Sequence, residues 1–183
     1  MTLTKQNTEA LIILCKAKNQ YAQLELYNRY YHAMYNTAFR IVKDSYHAED
    51  IMQDAFLLAF TKLGTLNDHN MFGPWLKRIV INKSIHYFNK TKKEPTQPLD
   101  DVLYKLEDHD GITSDYDDTN FRVQQIIEVM DTLKDNYRIA LSLHLIEGYD
   151  YEEISQIMTL SYANCRTIIS RAKDSLRKKI QDL

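Results

Sequence analysis

The chain has 183 residues, a formal net charge of −2 and an isoelectric point near 6.3. Only 4 Gly and 3 Pro accompany 44% hydrophobic and 26% charged residues, a soluble globular composition. So few turn residues argue against an all-β sandwich or barrel, which needs them every ~8–12 positions, and suit long helices. The near-neutral total, read whole, also argues against a nucleic-acid binder. The apolar run at 10–15 is far shorter than the ~20 residues of a membrane span, and positions 1–9 lack a signal-peptide layout, so membrane insertion is not expected. Cys15 and Cys165 stand far apart, and the histidines fall in no zinc-binding spacing. The glycines stand singly, so no phosphate-binding loop is present. A reducing cytoplasmic setting is expected, with no metal, cofactor or small-molecule substrate.

In chain order, charge divides the sequence into three. Residues 1–94 carry net +5, residues 95–121 net −7 and residues 122–183 net 0. The middle stretch holds Pro95, Pro98 and Gly111 among runs of aspartate, and reads as a flexible, self-repelling acidic linker. Two small helical domains are expected on either side.

The first domain opens with an apolar face of Leu11, Leu14 and Cys15 that ends near Asn19 and Gln20. Leu24, Tyr27, Tyr31, Met34, Tyr35, Ala38 and Val42 then keep a helical stripe over many turns. Asp44 or Ser45 caps the next helix, which carries Ile51, Ala55, Leu58 and Ala59 and ends near Gly64. A polar loop at 65–70 precedes a helix from about Pro74 to about Asn89, bearing Trp75, Leu76, Ile79, Val80, Ile85 and Phe88.

The second domain begins with the stripe Ile126, Ile127, Met130 and Leu133. Ile139, Leu143 and Ile146 follow, ending at Gly148. Asp150 and Glu153 have capping-box spacing and open a short helix with Ile154, Ile157 and Met158. After a turn at 159–161, Ser161 caps a final helix on the stripe Cys165, Ile168, Ile169, Ala172, Leu176 and Ile180.

The last two helices form a helix-turn-helix candidate. Opposite its apolar stripe, the final helix offers Tyr162, Asn164, Arg166, Thr167, Ser170, Arg171 and Lys173, and residues 163–180 carry net +5. The early positions suit base edges, and the later ones suit phosphates. Residues 76–93 hold six basic side chains and no acid. There Lys77, Arg78, Asn82, Lys83, His86 and Tyr87 suit a phosphate backbone and unpaired bases, whereas Trp75 reads as core. Asp50, Gln53 and Asp54 share one helix face with Leu57 beside them. On the residues alone this face is more simply solvated, and a solvated bundle surface is the alternative for each basic face.

Together these segments resemble the bacterial RNA polymerase sigma factors of the extracytoplasmic-function (ECF) group. The segment A-E-D-I-M-Q-D-A-F at 48–56 is similar to that family's A-E-D-[LI]-[VM]-Q-[ED]-[TA]-F helix. F-G-P-W-L-K-R-I-V-I-N at 72–82 resembles F-x-x-W-L-x-x-I-A-x-N. E-G-Y-D-Y-E-E-I-S-Q-I-M at 147–158 resembles E-G-x-S-Y-x-E-I-A-x-I-L, and Arg171, Ala172, Lys173 and Leu176 match R-A-[RK]-x-x-L. The resemblance implies an all-α, two-domain protein that is not an enzyme. Domain 1–94 would bind core polymerase and read and melt the −10 promoter element. Linker 95–121 would thread the polymerase's nucleic-acid channel, and domain 122–183 would read the −35 element by its helix-turn-helix.

Asp50, Gln53, Asp54 and Leu57 would then grip the β′ clamp of core polymerase, with the β subunit a further contact. The loop residues Asn67 and Asn70, with Lys77, Arg78, Asn82, Lys83, His86 and Tyr87, would meet the −10 strand, where the family flips a base into the loop. The polar face of the final helix would meet the −35 element. Promoter DNA and core RNA polymerase are the implied partners, and an anti-sigma factor is a further expected one. Four positions depart from the family pattern: Ile168 stands where Arg is usual, Asn164 where Thr is common, His86 where Asp is usual, and Thr159 where the turn usually has Gly. The competing reading is a stand-alone helix-turn-helix regulator whose first domain senses a ligand or dimerises.

Overall fold

The computed structural model describes residues 3–93 and 117–181, which fall in two compact units, Met1–Thr96 and Gln97–Leu183. Both are helical, and no strand occurs among the described residues, so the fold is all-α. No helix among them is long and apolar enough to cross a membrane. The charge distribution predicts an acidic linker at 95–121; positions 94–116 lie outside the described residues.

The first unit contains α1 (Thr8–Lys16), α2 (Gln20–Val42), α3 (Ser45–Lys62) and α4 (Phe72–Lys93). Short polar side chains start the first three. Asn7 accepts from the Ala10 N–H at 2.9 Å, Asn19 from Ala22 at 3.1 Å and Asp44 from His47 at 2.8 Å, each supplying a first-turn donor with the partner it lacks. Between α1 and α2 the Lys18 N–H bonds the Cys15 carbonyl and the Asn19 N–H bonds Leu14, a Schellman turn. Lys18 takes φ 61° there, in the left-handed region where glycine is usual.

Helices α2, α3 and α4 pack pairwise, and α1 lies against α2. The core joins Leu11, Ile12, Leu26, Met34, Ala38, Met52, Phe56, Phe72, Leu76 and Val80. Fully burying such apolar side chains contributes roughly 1.5–3 kcal/mol each before chain entropy is counted. At Gly73 a Cβ would stand 3.0 Å from the Tyr30 ring, so the first turn of α4 passes close against α2.

Several expected details differ. Leu24 is 57% exposed, and Leu26 and Ile41 take the inward positions on α2. The tyrosines of that helix suit either side of the boundary, which blurs the phase of the stripe. Helix α4 starts two residues before Pro74 and runs four beyond Asn89. Pro74 can sit in a first turn because the N–H it lacks has no helical partner there. The loop at 65–70 is more ordered than its polarity suggests. Leu66 is buried, and 3₁₀ turns occupy Leu63–Thr65 and His69–Met71.

The second unit contains α5 (Asp117–Asp131), α6 (Asp135–Leu141), a π-helical turn (Ser142–Ile146), α7 (Tyr151–Ile157) and α8 (Tyr162–Gln181). Helix α5 begins inside the stretch expected to be linker. Acidic residues do not oppose a helix at its N-terminal end, where carboxylates are favourable. Ile126 and Ile146 are exposed, and Val129 replaces Ile126 beside Met130, Leu133, Leu141, Ala172 and Leu176 in the core. The π turn advances the chain by an extra residue and carries Ile146 off the expected stripe. Gly148, at φ 80°, ends this segment.

Candidate nucleic-acid interfaces

Helix α7 has seven residues, too few to hold itself together, and its start is fixed by two reciprocal bonds. Asp150 accepts from the Glu153 N–H at 2.8 Å, and Glu153 accepts from the Asp150 N–H at 3.0 Å. Its end is a second Schellman turn: the Thr159 N–H bonds Gln156 at 3.3 Å and the Leu160 N–H bonds Ser155 at 2.8 Å, with Thr159 at φ 55°. Ser161 Oγ then accepts from the Asn164 N–H and starts α8. Ile154 and Ile157 of α7 and Cys165 and Ile169 of α8 are buried where the two helices pack. Capped short helix, tight turn and long amphipathic helix together make a helix-turn-helix.

On α8, Tyr162, Asn164, Arg166, Thr167, Ser170 and Arg171 are exposed on the face opposite Cys165, Ile169 and Ala172. Thr167 donates its hydroxyl to the Ala163 carbonyl at 2.9 Å, which fixes its rotamer. Lys173 behaves differently from its expected outward position. Its Nζ lies 3.5 Å from the Tyr151 hydroxyl and 5.8 Å from the centre of that ring, so it reaches back to α7. The His144 ring packs on the same tyrosine, and His144 Nδ1 lies 3.0 Å from the Tyr149 carbonyl.

In the first unit, α3 and α4 enclose a groove of about 760 Å³. Asp50 and Asp54 line it from α3, and Trp75, Arg78, Asn82, Lys83, His86 and Tyr87 from α4. The sequence treats the acidic face and the basic stretch as separate surfaces. In the fold they share one groove, and Asp54 Oδ2 accepts from Lys83 Nζ across it at 2.9 Å. Gln53 and Leu57 are exposed beside it, Gln53 donating to Glu49 at 3.1 Å. Thr65 of the polar loop and Lys90 of the basic run also line the groove, as does Lys62, which nothing in its local spacing singles out in the sequence. Trp75 packs its ring 6.1 Å from Phe72 and also lines the groove, so it is half core.

Before α4, the loop is pinned on both sides. Leu66 is buried, Asp68 accepts from the Asn70 N–H at 2.9 Å, and Lys16 Nζ lies 2.9 Å from His69 Nε2. Asn67 and Asn70 are left exposed between these anchors. At the far end of the groove, Tyr87 is half-buried, its ring 4.6 Å from that of His47. Burial, with the Asp44 charge adding to it, pushes the Tyr87 hydroxyl pKa up, so this side chain serves packing as well as the groove. Burial also pulls the Asp44 carboxyl up, but bonds from the His47 backbone and side chain, the His47 charge and the Tyr46 N–H outweigh it and hold that pKa below the usual range.

The comparisons with known proteins fall on these two units. The chain matches the family models for Sigma-70 region 2 over residues 26–94 and Sigma-70 region 4 over residues 123–176. It is 32% identical to the ECF RNA polymerase sigma factor SigM of Bacillus subtilis, over 84% of this chain and 91% of that protein. It is 28% identical to the RNA polymerase sigma-H factor of Pseudomonas aeruginosa, over 99% of this chain and 97% of that one. Among solved structures, the sigma factor RpoE of Bartonella quintana, in complex with the anti-sigma factor NepR, superposes with a TM-score of 0.58 at 17% identity, covering 86% of this chain and 95% of that one. CnrH in complex with the cytosolic domain of CnrY gives 0.55 at 19% identity, over 96% and 97%. These two likenesses concern the fold. The region 2 match over the first unit disfavours reading that unit as a sensor of a stand-alone regulator. On these matches the chain belongs to the ECF RNA polymerase sigma factors.

Proposed function

We propose that this sigma factor directs core RNA polymerase to promoters through three surfaces assigned to separate tasks. Asp50, Gln53, Asp54 and Leu57 of α3 dock on the β′ clamp, with the β subunit a further contact. Asn67 and Asn70, with the α4 side of the groove, take the unpaired −10 strand, and the polar face of α8 enters the major groove at the −35 element. The observation that carries this reading is the helix-turn-helix with six exposed polar side chains on one face, in a chain that also matches region 2 ahead of it. Cations suit phosphates and the half-buried aromatics suit stacking, so each surface fits its nucleic acid.

In this reading the chain supplies recognition and strand opening, and the polymerase supplies catalysis. Domain 1–94, linker 95–121 and domain 122–183 divide that work. Each DNA surface alone is small and weak. Held at the promoter spacing by the polymerase, they act as one bivalent site. An anti-sigma factor is a further proposed partner, supported by the likeness to RpoE, which was solved in complex with the anti-sigma factor NepR, and the cytoplasm is the proposed setting.

The test is transcription in vitro from a pool of genomic fragments, using core polymerase of the same organism with and without the chain. The expected result is a discrete set of start sites that needs the chain. Arg166→Ala should relax base preference at one −35 position, costing about 1–3 kcal/mol, whereas Arg171→Ala should weaken binding across sequences and lower the salt slope by about 1. Absence of chain-dependent start sites refutes the proposal.

A further inference from the structure

The Asp54–Lys83 ion pair joins two residues assigned to different partners. Asp54 stands on the acidic α3 face, and Lys83 belongs to the basic run of α4, 29 positions away in sequence. Their side chains are 57% and 31% exposed, so both remain reachable by a partner from outside. A lysine whose ammonium is held by a carboxylate is a poor phosphate ligand: binding DNA there requires breaking the pair or bringing the carboxylate's negative charge close to the phosphate. A cationic group that docks on Asp54 removes that obstacle.

We propose that Asp54 withholds Lys83 from DNA in the free chain, and that a basic polymerase surface docking on α3 takes over the carboxylate and releases Lys83 to a phosphate of the melted strand. The inference rests on the assignment of α4 to DNA and α3 to the polymerase. It adds a direct linkage between those two binding events. The effect is modest because the pair is solvent-exposed, and its expected size is a two- to fivefold change in affinity, roughly that of an exposed ion pair. Linkage also runs both ways: DNA that draws Lys83 away leaves Asp54 open and strengthens docking by the same factor.

Asp50 provides the control. It lies one helical turn before Asp54, lines the same groove and carries the same charge, but is not the partner in this ion pair. Removing it reports the general electrostatic gain from deleting an acid near DNA. The probe is a fluorescein-labelled pool of single-stranded oligonucleotides, followed by anisotropy against the full-length free chain over a range of salt concentrations. Asp54→Asn should bind about two- to fivefold more tightly than Asp50→Asn, and its salt slope should steepen by about 0.7, one more phosphate neutralised on a single strand. Adding Lys83→Gln to Asp54→Asn should abolish the excess. With saturating core polymerase, and the signal of core alone subtracted, Lys83→Gln should cost about two- to fivefold more than it does in the free chain.

Equal affinities and slopes for Asp54→Asn and Asp50→Asn would overturn the proposal, as would the same Lys83→Gln cost in both states. Lys77→Gln and Arg78→Gln separate this failure from a deeper one. If they weaken binding while the Asp54 excess is absent, α4 is a DNA surface without the switch. If they too leave binding unchanged, the assignment of α4 to DNA falls, and this inference falls with it.

Discussion

Asp150→Ala offers a direct test of how the helix-turn-helix is held. The substitution removes the carboxylate that accepts from the Glu153 N–H at 2.8 Å. It spares the return bond from Glu153, which needs only the backbone N–H of residue 150. One cap is therefore lost, at a typical cost of about 1 kcal/mol within a range of roughly 0.5–2. For a unit of this size that corresponds to a fall of about 4–8 °C in Tm. The only tryptophan, Trp75, lies in the first unit, so its fluorescence follows that unit while ellipticity at 222 nm follows both. The expected result is a downward shift in the part of the ellipticity transition that fluorescence does not share, with the Trp75 transition unmoved. An equal shift in both signals would refute independent units, and no shift in either would refute the capping argument. Adding Glu153→Ala completes a double-mutant cycle, whose coupling measures the reciprocity of the two bonds.

Three further outcomes are expected. Because the folded-state pKa of Asp44 lies below its unfolded value, its charge stabilises α3 at neutral pH, and that contribution is lost as pH falls through the lowered pKa; urea titrations should show the advantage of wild type over Asp44→Asn shrinking below about pH 4. Burial pushes the Cys15 pKa up to about 11 and raises that of Cys165, so a thiol reagent at pH 8 should modify Cys15 at least ~100-fold more slowly in the native chain than in urea, and Cys165 more slowly as well, read by mass spectrometry of the two peptides. Thr159→Gly should stabilise the second unit by up to about 1 kcal/mol, read as a rise in the same ellipticity transition, because glycine occupies φ 55° without the Cβ clash.

What could be read from sequence was mostly what neighbouring residues settle among themselves. Asp44, Asp150 with Glu153, and Ser161 each act within three positions, and each caps the helix expected of it. Most of the inward stripe of α8 was legible for the same reason, since Cys165, Ile169, Ala172 and Leu176 recur at helical spacing; Ile168 is only half-buried, and Ile180, in the last turn, is exposed. Features made by packing were not. The π turn at Ser142–Ile146 has no local signature, and it moved Ile146 outward. Leu24 was misplaced because tyrosines can carry a stripe on either side of the true core line. Lys173 looked outward from its charge, whereas its long stem lets it fold back on Tyr151. At the groove, the residue types were evident but their adjacency was not: Asp54 and Lys83 meet only once α3 and α4 are paired.

The left-handed residues at the helix ends have a wider consequence. Lys18, Lys43 and Thr159 all take positive φ where glycine would do so freely. Scarcity of glycine therefore marks a chain that turns corners against its residues' own preferences, at roughly 1–2 kcal/mol each. At Thr159 the favoured alternative is the right-handed region, which would carry α7 onward in the direction of α8 and straighten the bend between them. Burial of Ile154, Ile157, Cys165 and Ile169 opposes that outcome. The bend is thus a point of local strain, held by those hydrophobic contacts together with the Schellman bonds and the Ser161 cap. Any change that loosens those contacts should disturb the angle between α7 and α8 before it lowers helical content, so the helix-turn-helix geometry is more fragile than its helices.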